Sequence, residues 1–203
     1  MRSFPVLNAH GISSAKTTPT HLSLQDFSRI LNLVSDSNMG LSALIPEDFD
    51  FHKPDRLNCK RQNVYLTFDD ALGSVRKIAE DHGIVATLFV VTNYVGLQND
   101  WPGQPRWVNR ERCLSWQEIR RLSDLGWTIG AHTCSHPSFL KISENKTQSE
   151  IRDSVKRIED ETGKSCHFFA YPYGHTTREA IQTVNDMELI GFGTHPGWSS
   201  VDS

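Results

Sequence analysis

Apolar positions along the chain alternate between short runs that suit buried strands and stripes spaced for helices. Phe4 to Asn8 is a short strand candidate. Phe27, Ile30, Leu31 and Val34 fall at helical spacing, with Ser23 and Asp26 placed to cap that helix. Residues 36–62 read as a polar connection containing Pro46 and Pro54. Val64 to Phe68 is a strand ending at Asp69-Asp70, and a helix is predicted from about Ser74 to His82. Val85 to Val91, rich in β-branched residues, is the next strand. Ser115 and Glu118 form a capping box before Ile119, Leu122 and Leu125, and Gly126 closes that helix. Trp127-Thr128-Ile129 opens a strand leading to His132. Ile151, Val155 and Ile158 share one helical stripe that Gly163 ends. His167 to Tyr171 is strand-like, Thr176 and Glu179 are placed to cap a last helix, and Leu189 to Thr194 is the final strand.

Strands alternating with helices predict a parallel α/β sheet, open or closed as a barrel. His10, Asp69-Asp70, His132, Tyr173 and His195 each follow the end of a predicted strand. In parallel barrels those ends form the active face, so one ring of loops collects the reactive side chains. That convergence points to an enzyme.

Composition narrows the field only a little. The chain has 203 residues, 21 Lys and Arg against 24 Asp and Glu, and a formal charge of -3. This is ordinary globular composition and one domain's length, 1–203, with nothing that favours nucleic acid or a membrane surface as partner. No apolar run is long enough to span a bilayer. The N-terminus lacks a basic region followed by an apolar stretch and reads as a strand rather than a signal peptide. Cys59, Cys113, Cys134 and Cys166 are dispersed without a C-x-x-C pair, as expected for free thiols in the cytoplasm. Asn145-Lys146-Thr147 matches a glycosylation acceptor but carries no weight in an unsecreted chain.

The candidate chemistry lies in two segments. His132-Thr-Cys-Ser-His136 spaces two imidazoles so that both can meet one ion. It is not the zincin pattern, because Thr133 stands where the glutamate would be. Taken alone, the pair is more often two unrelated histidines than a metal site, and adjacent aspartates are often solvated turn residues. Asp69 and Asp70, however, emerge from a strand that should be buried, so one can bind a cation while its neighbour stays free as a base. Two histidines and a carboxylate leave an open position, as hydrolytic zinc sites require.

Thr67-Phe68-Asp69-Asp70, then His132-Thr-Cys-Ser-His136, then Tyr171-Pro172-Tyr173-Gly174 resembles the polysaccharide deacetylase family with its NodB-type domain, carbohydrate esterase family 4. The likeness runs from about Val64 to Gly193. Gly83 to Val90 also looks like the family's strand after the first helix. The resemblance implies a distorted (β/α) barrel, complete or left open, and removal of N-acetyl groups from an acetamido sugar. It implies Asp69 as general base and Asp70, His132 and His136 as ligands of a divalent metal. Zinc is the default, with cobalt, nickel or manganese able to bind a similar set. Tyr173, beside Pro172, would line the acetyl pocket, its backbone N–H aiding the oxyanion. Val6 to His10 looks like the opening strand of a permuted subgroup, similar to biofilm-polysaccharide deacetylases, whose histidine acts late in catalysis. His10 is therefore the expected general acid, ahead of His195 and His175.

Three features depart from the family pattern. Ala71 replaces the usual glycine after the aspartates. Ala170 stands where many relatives have an arginine that supports the base, which leaves the tuning of Asp69 open. The chain also stops soon after Gly193, where relatives continue with another strand, so it reads as truncated or as an open barrel. Trp101 and Trp107, in a Pro- and Gly-rich loop, are the candidate sugar platforms. The rival readings are an amide or cyclic ureide hydrolase on the same fold and an inactive carbohydrate-binding module. A non-haem iron oxygenase ranks low, because Asp followed by His-x-x-x-His is not its pattern.

Overall fold

The computed structural model describes residues 5–14, 19–37, 39–49 and 63–194. Among these residues seven strands form one parallel sheet: β1 (Val6–Ala9), β4 (Gly40–Ser42), β5 (Asn63–Phe68), β6 (Thr87–Val90), β7 (Thr128–Ala131), β8 (Phe168–Ala170) and β9 (Ile190–Phe192). The order is β1-β5-β6-β7-β8-β9. Tyr65 pairs with Val6 and with Ser42, while Thr67 pairs with Asn8 and with Thr87. Strands β4 and β6 therefore share one edge of β5, β4 at its start and β6 at its end. Among the described residues nothing pairs β9 with β1, so the sheet they form is open. A two-stranded parallel sheet, β2 (Gly11–Ser13) and β3 (His21–Ser23), sits beside it.

Among the described residues five α-helices connect the strands: α1 (Leu24–Asp36), α2 (Arg76–His82), α3 (Trp116–Asp124), α4 (Glu144–Thr162) and α5 (Arg178–Asp186). Successive strand residues face opposite sides of the sheet, and the core divides accordingly. Leu66, Phe68, Leu88, Ile129 and Phe169 face the helices and meet Ile119, Ile151, Val155 and Ile158. Tyr65, Phe89, Phe168 and Ala170 face the interior with Leu44 and Phe49. Gly130 is required on that inner face, because a Cβ there would stand 2.6 Å from the Phe89 ring.

The expected helix signals operate as read, with small shifts. The Ser23 side chain accepts from the Asp26 amide, and the reciprocal Ser115–Glu118 capping box is complete. Gly163 ends α4 in the left-handed conformation. The last helix is capped by Thr177 rather than Thr176, since it is the Thr177 hydroxyl that accepts from the Ala180 amide. The polar connection is less plain than expected: it contains β4 and a 3-10 turn, Pro46–Asp48. A three-residue strand is too short to leave a periodic trace. Phe4, Cys59 and His195 lie outside the described residues.

Candidate metal centre

The reactive side chains gather where the strands end. His10 follows β1, Asp69 and Asp70 follow β5, His132 follows β7, and Tyr173 lies in the turn after β8. The backbone bends sharply at this rim. Asp70, Ala71, Thr133, His136 and Tyr173 all have positive φ, between 52° and 69°. For residues with a Cβ this costs of order 1–3 kcal/mol each and persists only where the surroundings impose it, which is usual at functional sites. Ala71, at φ 52°, stands in a conformation that favours glycine, which accounts physically for the residue expected there.

Asp70, His132 and His136 are buried and converge. One donor atom from each lies within 4.8 Å of the others. Asp70 Oδ1 is 3.7 Å from His132 Nε2 and 3.5 Å from His136 Nε2, and the two Nε2 atoms are 3.1 Å apart. His132 Nδ1 donates to the Ala170 carbonyl at 2.8 Å, which leaves the Nε2 lone pair facing Asp70. Asp70 Oδ1 is buried without a hydrogen-bond partner among the described residues. Burial pushes the Asp70 carboxyl up, Asp69 adds to this, and His10 and His132 oppose it. Burial, then the nearby His132 and His10, hold His136 well below the usual imidazole range, so its ring is neutral. An orphaned buried carboxylate oxygen beside two imidazole Nε2 atoms fits a divalent cation, which would satisfy all three at once.

The loop carrying the histidines is held from below. Glu150 of α4, 1% exposed, accepts from the Cys134 amide at 2.9 Å, the Ser135 amide at 2.8 Å and the Ser135 hydroxyl at 2.7 Å. The His136 amide donates to the Thr133 hydroxyl at 2.9 Å. The His136 ring lies 4.5 Å from the Trp101 ring and 4.7 Å from that of Tyr173, so aromatic neighbours orient it. Its Nδ1 has no hydrogen-bond partner among the described residues.

Asp69 is buried but separately held. Its amide donates to the Ala9 carbonyl at 2.9 Å, and its Oδ1 accepts from Asn8 Nδ2 at 3.0 Å. His10 is half-buried and near enough for Asp70 and His136 to sense its charge. Pro172 is buried and Tyr173 is at the surface of the site. Burial raises the Tyr173 phenol. His175 is tied to the Ser138 hydroxyl at 2.9 Å, the ordinary role of a loop histidine.

One expectation is corrected. Trp101 is not a sugar platform: it is 2% exposed and packs on His136, where it serves the ligand rather than a substrate. Trp107 is 64% exposed. Asn8 and Glu150 escaped the sequence reading. Glu150 left one trace, an acidic residue beside Ile151 on the buried stripe of α4. Asn8 left none, because its importance comes from strand register.

The polysaccharide deacetylase family model matches residues 57–191. The chain is similar to the peptidoglycan-N-acetylmuramic acid deacetylase PdaA of Bacillus subtilis (strain 168), 28% identical over 199 residues that cover 93% of this chain and 66% of the relative. It spans about two thirds or less of the curated relatives it matches. Among solved structures it is similar to the Streptococcus pyogenes deacetylase PplD in complex with acetate. That match has a TM-score of 0.77 at 20% identity and covers 98% of this chain and 87% of that one. It is also similar to IcaB from Ammonifex degensii, with a TM-score of 0.74 at 21% identity over 94% and 83% of the two chains.

Proposed function

Because the chain belongs to the polysaccharide deacetylase family, we propose that it is a metal-dependent hydrolase that removes N-acetyl groups from an acetamido sugar or polysaccharide precursor. The observation that carries this reading is the buried triad Asp70, His132 and His136 with its orphaned carboxylate oxygen, set beside a second carboxylate, Asp69. An inactive binding module has no need of both.

Asp70, His132 and His136 would hold the metal, zinc by the preference of nitrogen and oxygen donors for that ion. When bound, the ion supplies Lewis acidity toward the acetamide carbonyl and the attacking water. Asp69 takes the proton from that water as general base. The Tyr173 backbone N–H donates to the developing oxyanion, and Pro172 with the Tyr173 side chain bounds the acetyl methyl. His10 gives a proton to the departing amine. Chain 1–203 acts as one catalytic domain in this reading. The cytoplasm is the proposed compartment, supported by Cys113, Cys134 and Cys166 being free thiols. No helix among the described residues is long and apolar enough to cross a membrane.

The test is acetate release from N-acetylglucosamine oligomers by the purified chain loaded in turn with zinc, cobalt, nickel and manganese. Release that stops on chelation and returns with metal supports the reading. A metal-loaded chain that releases no acetate from any acetylated glycan sinks it.

A further inference from the structure

The base assigned to Asp69 needs a fixed orientation, and β8 offers it none. Ala170 has no side-chain donor, and its carbonyl is already taken by His132 Nδ1. Support comes instead from the opposite side. Strand β1 runs parallel to β5 with Asn8 paired to Thr67, two residues before Asp69. The Asn8 side-chain amide has two N–H groups. Asn8 Nδ2 donates to Thr67 Oγ1 at 3.1 Å and to Asp69 Oδ1 at 3.0 Å. The first bond anchors the amide on the buried Thr67, and the second fixes one oxygen of the carboxylate. Asp69 Oδ2 is then left to receive a proton. The Asp69 amide, bonded to the Ala9 carbonyl at 2.9 Å, ties the backbone to the same strand.

The geometry points to Asn8 as the positioning residue for Asp69, acting from the first strand where the eighth has no polar side chain to offer. This rests on the deacetylase reading above. Asn8 is exposed, so its removal leaves no core cavity. Its contribution is orientation, and orientation errors of about 1 Å can cost on the order of 100-fold in rate.

The experiment uses the zinc-loaded chain and an activated aryl acetate ester as probe. Asn8→Ala is expected to lower kcat by about 10- to 100-fold. KM should stay within about twofold, and bound zinc per chain should not change. Asn8→Asp, which matches the size but cannot donate, should lose at least as much. Thr67→Val removes the anchor bond while leaving the Asp69 bond possible, and should cost less turnover than Asn8→Ala. A wild-type kcat in Asn8→Ala or Asn8→Asp overturns the inference, as does an equal loss in Thr67→Val, which would make the strand bridge the cause. A wild-type chain that binds zinc yet hydrolyses neither ester nor glycan overturns the deacetylase reading, and this inference with it. Active wild type with unimpaired Asn8 variants overturns this inference alone.

Discussion

Two neighbouring carboxylates have been given different surroundings. Asp70 has its Oδ1 buried without a donor, facing two imidazoles. Asp69 has a donor in Asn8 and none of the imidazoles bonded to it. Asp70→Ala should therefore abolish metal binding, because two histidines alone make a poor site. Asp69→Asn should keep about one ion per chain while turnover falls by about 100- to 10,000-fold, the usual contribution of a general base. Metal analysis beside acetate release separates the two; loss of metal in Asp69→Asn would reverse their roles. The pair, and the His132–His136 spacing, were legible in the sequence because they lie within short segments. Asn8 was not, since it reaches Asp69 through pairing between strands 59 residues apart. Trp101 was misread for a related reason: a Trp beside Pro102 and Gly103 looks exposed, but its loop folds it onto His136.

Helices do more here than cover the sheet. Glu150 reaches from α4 to the loop that carries both histidines and accepts from two backbone amides there. Lys146, 2.9 Å away, offsets its buried charge. Glu150→Ala would strand those donors and loosen the ligand loop. Titration with zinc should show affinity lowered about 10- to 100-fold, the range seen when an outer partner of a ligand is lost. Unchanged affinity would make Glu150 purely structural. Helix α3 shows a pH effect of known sign. Burial alone would raise the Glu118 carboxyl. The Arg112 guanidinium and the Ser115 amide and hydroxyl outweigh burial and lower it to about 2. Its folded pKa is below the ordinary 4.5, so its stabilisation is present above pH 4.5 and fades as pH falls toward about 2. In metal-free protein, Glu118→Gln should lower Tm at pH 6 and make less difference near pH 2.5. A gap that stays constant with pH would mean that the capping geometry matters and the charge does not. The capping box was readable because its residues are three apart; the Arg112 contribution required the folded chain.

At the scale of the whole molecule, the alternation of strand and helix sufficed to anticipate a parallel α/β fold, and the loops at the strand ends were correctly placed on one rim. The order β1-β5-β6 and the insertion of β4 were not legible, because register between distant parallel strands leaves no local pattern. That same order has a thermodynamic consequence. Asp70 comes from β5, His132 and His136 from the loop after β7, and β6 lies between those strands. An ion held by all three would fasten separate parts of the sheet, so it binds the folded chain and not the unfolded one. Such a ligand at 100 times its Kd stabilises by about 2.7 kcal/mol. For a chain of this size, that raises Tm by roughly 5–11 °C. Thermal unfolding with and without zinc should show the shift. His136→Ala should remove it, measured against the variant's own metal-free Tm, because deleting a buried ring packed on Trp101 and Tyr173 lowers stability by itself. A zinc-induced shift that survives in His136→Ala would place the ion elsewhere, most simply on residues outside the triad. Its disappearance together with acetate release would tie fold stability and chemistry to the same side chain, His136.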